Sequence, residues 1–512
     1  MSANAGAMTR RNIVIFLLRL GVCGGCAALL AQTLPKTDLP WLALPALAGL
    51  FWSWRQQPWP TAVGWGFFAG LVYFSLAFSW FGETAASLLG RFGSITVLGP
   101  ALLAAPFFAL AALAINRAER YAAAGCVALA SALGFSLCEA LRSLGPIGDP
   151  FAQVAYPQIT TPFGLVAPWF GTAGVSAMVA FVAASFTDYF LFPTTTRRFV
   201  ASLAISSVLL GAAWHVFPAR EYAAAHFPIA IIQGNIRQEL KWSKGAFDLA
   251  LNRYLGLSNT LVDLPNGPAP KLIVWPETVI PTNLNDDPAL AKQFAHLAQR
   301  ADATLVVGTL AEHNGTPYNT LWYFAPHQEP AIYRKRRLVP FAEWLPGEAW
   351  LDHLPFTNLI SHFGAGQESS VIAVGQHQTA PLICWESDFP DLLHDQLMRK
   401  ADLAVVATDD AWFGDTAGPY QHAQIAQMRA LENGIWIVRA AATGVSGIIA
   451  PDGSFTQRSV VNQIQVIQGL VGDRIPTVFA RLGPAPITLS LALGYLLTLF
   501  TGLLWRRNVR SS

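Results

Sequence analysis

The sequence is poor in charged residues and in cysteines, and both shortages narrow the classes of protein it can belong to. Asp, Glu, Lys and Arg make up 12% of the 512 residues, against about 25% in ordinary soluble domains. The formal net charge is only +2, so the chain has no strong field for a polyanion, and nucleic acid is not expected as a partner.

The five cysteines give no sign of a disulfide framework, because four of them lie in apolar stretches. Cys23 and Cys26 spell C-x-x-C without a second pair or a nearby His, and we interpret them as small residues that pack between helices. The spacing H-E-x-x-H, a Gly-rich phosphate loop and the G-x-S-x-G motif are missing as well. We therefore expect neither a metal nor a cofactor.

Apolar residues are abundant instead, and they collect in residues 1–218 and in the last thirty residues. A helix needs about 20 apolar residues to cross the hydrocarbon layer. The sequence predicts a transmembrane domain of about seven helices in residues 1–218, and one transmembrane helix with a basic tail in residues 483–512. The eight candidate spans are residues 13–33, 39–53, 60–80, 94–115, 123–141, 165–192, 199–217 and 484–505.

The arginines predict how these spans are oriented. Arg10 and Arg11 precede the first span, several more occupy alternate loops, and Arg506 and Arg507 follow the last span. Loops rich in Arg and Lys remain on the cytoplasmic side of a membrane. Both termini are therefore expected on the cytoplasmic side, which in a bacterium is the inner face of the inner membrane. The polar segment 219–482 is then expected in the periplasm.

One pair of charged residues lies at the outer end of the fifth span. Glu139 and Arg142 are one helical turn apart. We expect them either to pair with each other or to face a substrate.

Segment 219–482 alternates short strand patterns with helical ones, which predicts an α/β domain with helices covering the sheets. Predicted strands are residues 228–233, 271–275, 303–308, 321–324, 332–338, 403–408 and 435–440, and predicted helices are residues 243–262, 288–301, 391–400 and 421–433. The apolar run 379–384 is predicted as a further strand, which a turn at 387–390 joins to the helix 391–400. A hairpin is predicted over residues 446–454 around Asp452-Gly453. The irregular stretch 341–368 is rich in Trp, Phe, Leu and Pro, and it is expected to be either a lid or a flap that contacts the bilayer.

Three polar residues stand at the ends of predicted strands: Glu277, Lys335 and Cys384. Acyl transfer through a cysteine needs a base for the thiol proton, the nucleophile itself, and a positive group beside the tetrahedral oxyanion. The three residues supply one of each. Cys384 is also the only cysteine outside the apolar stretches.

The residues around these three carry a resemblance. The chain resembles the nitrilase, or carbon-nitrogen hydrolase, superfamily with its Glu-Lys-Cys triad, and more narrowly its membrane-embedded branch, the apolipoprotein N-acyltransferases. The matching motifs run in order along the chain: Gln233-Gly-Asn-Ile236 with Lys241-Trp242, Trp275-Pro-Glu-Thr278, Tyr333-x-Lys335 with Leu338-Val-Pro-Phe341, Cys384-Trp-Glu386, Asp410-Ala-Trp-Phe-Gly414, Gly418-Pro-x-Gln-His422 and Met428-Arg-Ala-Leu-Glu432.

The resemblance implies an α-β-β-α sandwich for segment 219–482 and roles for single residues. Glu277 is implied as the general base, Lys335 as the oxyanion stabiliser and Cys384 as the nucleophile. Four further residues are implied to bind substrate or to support the site: Glu343, which orients the lysine or substrate, Glu386 behind the nucleophile, Trp242 in the acyl or lipoprotein pocket, and Trp385 beside Cys384.

The chain departs from the family pattern at several of these motifs. The pattern has His at the position of Arg337, Gly at Ala342, Tyr at Trp385, and Ser-Asn-Asp where this chain has Thr408-Asp-Asp410. No departure removes a member of the triad.

The resemblance implies acyl transfer from a phospholipid donor to the N-terminal amine of a diacylglyceryl-cysteine on a lipoprotein, by a ping-pong route through a cysteine thioester. A membrane-tethered amidase or nitrilase acting on small periplasmic amides is the alternative with the same triad. A third hypothesis is a transporter or scaffold with a degenerate enzyme domain. The intact triad and the lack of paired charges inside the spans disfavour it.

Overall fold

The computed structural model describes residues 10–192, 196–216, 225–241, 245–263, 267–348 and 361–511. Within these ranges, eight helices precede the first strand. They are α1 (Arg10–Ala31), α2 (Ala43–Trp54), α3 (Trp59–Ala77), α4 (Ser79–Leu89), α5 (Leu98–Tyr121), α6 (Val127–Arg142), α7 (Ala167–Leu191) and α8 (Thr196–Val216). The helical form follows from the apolar composition, because a helix satisfies every backbone polar group within its own segment.

Six helical stretches of the described residues are long and apolar enough to cross a membrane: Ile13–Ala31, Trp59–Ala77, Phe92–Tyr121, Pro162–Leu191, Thr196–Trp214 and Pro484–Arg507. Helices also occupy the second and fifth predicted spans, but α2 has 12 residues and α6 has 16. The number of eight spans therefore stays a prediction. The short helix α4 was not expected from the sequence.

The pairing expected for Glu139 and Arg142 is wrong. Arg142 instead donates to the carboxylate of Asp149 at 3.2 Å in the loop after α6. Glu139 accepts from the hydroxyl of Ser176 on α7 and from the backbone N–H of Val154. Both side chains are buried, and their contacts fasten the loop after α6 to helices α6 and α7. The substrate-facing alternative stays a prediction.

The rest of the described chain forms two sheets with helices between their strands. The strands are β1 (Phe227–Gln233), β2 (Leu272–Val274), β3 (Ile280–Asn283), β4 (Thr304–His313), β5 (Thr316–Phe324), β6 (Ala331–Arg334), β7 (Ile372–Val374), β8 (His377–Ile383), β9 (Leu403–Thr408), β10 (Trp436–Ala441), β11 (Gly447–Ile449), β12 (Phe455–Arg458) and β13 (Gln465–Val471). The helices are α9 (Gln238–Lys241), α10 (Ala246–Asp263), α11 (Pro288–Ala301), α12 (Pro390–Met398), α13 (Gly418–Asn433), α14 (Val478–Leu482) and α15 (Pro484–Ser511).

The first sheet has seven strands in the order β13-β1-β2-β4-β5-β6, with β3 beside β4, and the second has six in the order β12-β11-β10-β9-β8-β7. Alternate residues of β1 show how the sheets are layered. Ile229 and Ile231 pack against the second sheet, whereas Ala230 and Ile232 pack against α10 and α11. On the outer face of the second sheet lie α12 and α13. The predicted fold class is confirmed: a helical membrane part and an α-β-β-α sandwich.

The directions of the strands determine where the polar residues that follow them lie. In the first sheet β2 runs parallel to β4, and two antiparallel pairings lead from β4 through β5 to β6. Strands β2 and β6 therefore end at the same edge of that sheet. In the second sheet β8 and β9 are parallel and end together. Because the sheets are stacked, Glu277, Lys335, Cys384 and Asp409 follow strands that end at one rim of the sandwich.

The sandwich is fastened to the helices of the membrane part through α13. Ile425, Met428 and Leu431 of α13 belong to the apolar core of the N-terminal helices. Helix α7 is interrupted at Gly171, which has φ 61°, and a side chain there would collide with Phe479. The helix restarts at Thr172, whose backbone N–H and hydroxyl both donate to Glu432 of α13, at 3.1 and 2.9 Å.

Candidate active site

Cys384 is the first residue after β8, at the start of a tight turn, Cys384–Asp388. Its φ of 51° is left-handed, a conformation that a residue with a side chain adopts only when the surrounding structure holds it there. The side chain of Cys384 is half-buried and packs against the apolar residues between the two sheets. Sequence analysis predicted this strand, turn and helix, although the helix begins at Pro390, one residue before the predicted start.

Glu277 lies three residues beyond β2, with its side chain buried. One carboxylate oxygen accepts from the amide of Asn319 at 2.7 Å, and the other accepts from the backbone N–H of Asp409 at 2.7 Å. The backbone of Glu277 passes so close to Gly308 on β4 that a side chain at position 308 would lie 2.7 Å from its Cα. A glycine at 308 is therefore required for the carboxylate to reach this place.

Lys335 is the first residue after β6, so the strand ends four residues earlier than predicted. Its ammonium is buried and donates to two carboxylates, Glu343 at 2.9 Å and Glu277 at 3.3 Å. The second oxygen of Glu343 accepts from the backbone N–H of Val339 at 2.8 Å. The structure thus brings Glu343 to the lysine, as the resemblance implied.

Asn319 on β5 is a member of this site that sequence analysis missed. Its side-chain amide donates to both Glu277 and Glu343, at 2.7 and 3.2 Å. The backbone N–H of Lys335 donates to the backbone carbonyl oxygen of Asn319. The available signal was a polar residue facing inward among the apolar residues of a strand. We call Glu277, Asn319, Lys335 and Glu343 the base cluster.

The charges of the base cluster act on the thiol. Burial raises the pKa of the Cys384 thiol well above its usual value, and the negative charge of Glu277 raises this pKa further, against the opposing charge of Lys335. Burial alone would raise the pKa of Glu277, but the charges of Lys335 and Lys241 outweigh burial and lower it. At neutral pH the site therefore holds a neutral thiol beside a carboxylate. Proton transfer between them has to accompany attack on a substrate carbonyl.

The ammonium of Lys335 stays charged in this surrounding. Burial lowers its pKa, but the neighbouring carboxylates of Glu277 and Glu343 more than compensate and raise the pKa above its usual value. A fixed positive charge beside a nucleophile stabilises an oxyanion that forms on the attacked carbonyl. The three side chains can therefore perform an acyl transfer.

Glu386 supports the nucleophile from behind. One of its oxygens accepts from the backbone N–H groups of Arg336 and Arg337, and the other accepts from the N–H of Ile383 at 2.8 Å. The hydroxyl of Tyr333 donates to both oxygens. One buried carboxylate thereby joins the residues that follow Lys335 to the residue that precedes Cys384.

Trp385 points away from the base cluster and toward the membrane part. Its ring stacks on Phe151, with centroids 5.8 Å apart, and meets Phe389 edge-on at 5.3 Å. Trp80 and Phe413 extend the same aromatic wall. Trp242 and residues 349–360 of the predicted lid lie outside the described residues.

A second set of buried charges lies behind the nucleophile turn. Asp410 pairs with Arg439 at 3.1 Å and with His422 at 3.0 Å, and the other nitrogen of His422 lies 3.4 Å from Asp388. Arg439 and His422 together lower the pKa of Asp410 against the effect of burial, whereas burial raises the pKa of Asp388 to about 7. We call Asp388, Asp410, His422 and Arg439 the scaffold cluster. No group of three or more His, Cys, Asp or Glu within the described ranges is arranged to hold a metal ion.

Comparison with known proteins places the chain in a family. The carbon-nitrogen hydrolase family matches residues 229–471, and the N-terminal domain of apolipoprotein N-acyltransferase matches residues 26–185. Among solved structures, an amidase from Nesterenkonia sp. is 18% identical and covers 52% of this chain and 97% of its own, with a TM-score of 0.38.

Two relatives match over much longer stretches. The apolipoprotein N-acyltransferase of Azotobacter vinelandii is 31% identical over 89% of this chain and 90% of its own. That of Pseudomonas putida is 32% identical over 93% of this chain and 96% of its own. The resemblance read from the motifs is confirmed, and the chain belongs to the apolipoprotein N-acyltransferase family.

Proposed function

We propose that the protein transfers a fatty acyl chain from a membrane phospholipid to the N-terminal amine of the diacylglyceryl-cysteine of lipoproteins. It is an acyltransferase of lipoprotein biosynthesis, as its family membership establishes. The observation that carries the mechanism is that Glu277, Lys335 and Cys384 meet at one rim of the sandwich. Trp385, the residue after Cys384, packs against Phe151 of the membrane part.

In the first step Cys384 attacks the carbonyl carbon of a glycerol ester. Glu277 accepts the thiol proton as the carbon–sulfur bond forms, and the negative oxygen is stabilised by the ammonium of Lys335. The carbon–oxygen bond of the ester then breaks. The proton passes from Glu277 to the leaving glyceryl oxygen, so a lysophospholipid departs and a thioester remains.

In the second step the lipoprotein amine attacks the thioester carbonyl. Glu277 accepts a proton from the amine, the carbon–sulfur bond breaks, and this proton returns to the sulfur of Cys384. The products are an amide and the original thiol. Conversion of a thioester to an amide is downhill, so the cycle needs neither ATP nor a cofactor.

Hydrolysis of the thioester is the competing reaction, and the surroundings of Cys384 oppose it. The aromatic wall of Trp385, Phe151, Phe413 and Trp80 lies between the nucleophile turn and the membrane part. An acyl chain lying along these rings would exclude water from the sulfur.

The bacterial inner membrane is the location that the family and the apolar helices support. We propose a transmembrane domain in residues 1–218, a catalytic domain in residues 219–482 on the periplasmic side, and a final helix with a cytoplasmic tail in residues 483–512. The distribution of arginines supports a cytoplasmic position for both termini. The boundary between residues 218 and 219 lies outside the described ranges.

The test is acylation by defined lipids. Purified protein incubated with phospholipid alone should gain the mass of one acyl group, and Cys384→Ala should gain none. Adding a diacylated lipopeptide should remove the adduct and yield an acylated lipopeptide. Absence of the adduct from the wild type would overturn the covalent step. Release of ammonia from small amides without transfer to the lipopeptide would support the amidase alternative.

A further inference from the structure

A buried ion pair on the far side of Glu277 has no part in the mechanism described so far. Lys241, the last residue of α9, lies 2.5 Å from the carboxylate of Asp409, and its ammonium also donates to the hydroxyl of Thr278 at 2.7 Å. Both members of the pair are buried. A buried pair costs solvation that its Coulomb attraction barely returns, so stability alone does not account for this one.

Asp409 is joined to the base by its backbone. Its N–H donates to the carboxylate of Glu277 at 2.7 Å, while its own side chain accepts from Lys241 and from the N–H of Ala411. A displacement of the Asp409 side chain is thereby passed to the oxygen of Glu277 that does not contact Lys335.

We propose that Lys241 and Asp409 are positioning residues that hold the Glu277 carboxylate in place and balance its charge during acyl transfer. The inference rests on the proposed function, in which Glu277 accepts the thiol proton.

The charges that face Glu277 show why such a balance is needed. Lys335 and Lys241 are the positive groups, and Asp409, Glu343 and the ionisable Cys384 thiol are the negative or potentially negative ones. The buried phenol of Tyr254 on α10 is the other titratable group that senses Asp409.

Without Lys241, the single ammonium of Lys335 would remain to balance three buried carboxylates, those of Glu277, Glu343 and Asp409. Burial and the charge of Glu277 already raise the pKa of Asp409, and Lys241 opposes this rise. Asp409 is one of the departures from the family pattern noted above, whereas Lys241 belongs to a motif that the chain shares with the family. The added carboxylate therefore lies beside a lysine that the pattern already has.

Two single substitutions change the balance in opposite directions. Lys241→Met leaves an uncompensated carboxylate beside Glu277, which favours the protonated form of the base. Asp409→Asn keeps the backbone N–H but leaves an uncompensated ammonium, which favours the charged form. The double variant Lys241→Met/Asp409→Asn is neutral at both positions.

The measurement is the rate of Cys384 acylation by a p-nitrophenyl acyl ester as a function of pH. Released nitrophenol reports this rate, and the rate of release by Cys384→Ala is subtracted as background. The rate should fall at low pH as Glu277 becomes protonated. The midpoint of this fall should shift to higher pH by about one unit in Lys241→Met and to lower pH by about one unit in Asp409→Asn. The double variant should return the midpoint to its wild-type position. Lys271→Met, which breaks an exposed ion pair with Asp302 at the opposite end of β2, is the matched control and should not move it.

Coinciding profiles for the wild type and both single variants would overturn the inference, and so would a double variant that keeps the shift of either single one. If Lys241→Met does not fold, Asp409→Asn and the double variant still decide the matter. The ester replaces the phospholipid donor, and Cys384 acylation needs no lipoprotein amine. A wild type that releases nitrophenol but acylates no lipopeptide would therefore contradict the proposed function and leave this test intact.

Discussion

The base cluster and the scaffold cluster are both buried sets of charges at the same rim of the sandwich, yet their charges are balanced differently. In the base cluster the ammonium of Lys335 contacts two carboxylates, those of Glu277 and Glu343. In the scaffold cluster Arg439 and His422 both contact Asp410. Against the effect of burial, Lys335 and the neighbouring Lys241 lower the pKa of Glu277, so this carboxylate stays ionised and available to accept a proton. The scaffold cluster, whose central carboxylate is fully paired, serves to fix the turn that carries Cys384.

The largest effect on activity is expected from Glu277→Gln. The amide cannot accept the thiol proton, so the rate of acyl-adduct formation should fall by about 10²- to 10⁴-fold. The thermal unfolding midpoint should change little, because the amide has the shape of the carboxylate and Glu343 still pairs with Lys335. Glu343→Gln is the comparison variant and should lower the rate by a smaller factor, since Glu343 acts on Lys335 and does not take the proton.

The largest effect on stability is expected from Arg439→Met. This substitution leaves Asp410 buried with only His422 to compensate it, and loss of one partner of a buried ion pair costs about 3–5 kcal/mol. Thermal unfolding in detergent should show a clearly lower midpoint. Asp410→Asn added to Arg439→Met should recover part of the loss. An unchanged midpoint in Arg439→Met would refute the contrast between the two clusters.

Tyr333→Phe should have an intermediate effect, because Tyr333 joins the strand before Lys335 to Glu386. The substitution removes one hydroxyl donor from a buried carboxylate that keeps three backbone donors. A loss of about 1.5 kcal/mol of unfolding free energy is expected, with acyl-adduct formation slowed only a few-fold. A rate loss as large as that of Glu277→Gln would mean that Tyr333 takes part in the chemistry.

Asp388→Asn should change the pH dependence of stability. The pKa of Asp388 is raised to about 7 in the folded protein, chiefly by burial, whereas an aspartate in an unfolded chain titrates near 3.9. The folded state therefore holds the proton more tightly, and stability should fall as pH rises from about 4 to about 7. Unfolding midpoints of Asp388→Asn over this range should show a flatter profile. An equal slope in both proteins would contradict the assignment.

The sequence predicted long regular elements well. Helix α11 and strand β9 have the predicted bounds, because each has clear apolar periodicity and a defined end. Strands β3, β7 and β13 were missed, since they are short or mix polar with apolar residues and depend on a partner strand.

The candidate site was predictable where a residue follows an apolar strand, as at Glu277 and Cys384. Lys335 lay inside a predicted strand, which ends at Arg334 in the structure, and it was singled out by its motif. The partners of these residues were harder to foresee. Asn319 lies inside a strand, and its role depends on which strands become neighbours. The expected pairing of Glu139 with Arg142 was wrong because a loop residue, Asp149, offered the arginine a better contact.

The apolar contacts of α13 limit how the enzyme can be divided. Ile425, Met428 and Leu431 are buried in the core of the N-terminal helices, and Glu432 caps the restarted helix α7 through Thr172. A fragment cut at the sequence boundaries of the catalytic domain would present these side chains to water and leave a carboxylate without its partner. Excision would therefore yield an aggregating fragment, and the sandwich is an enzyme only as part of the whole chain.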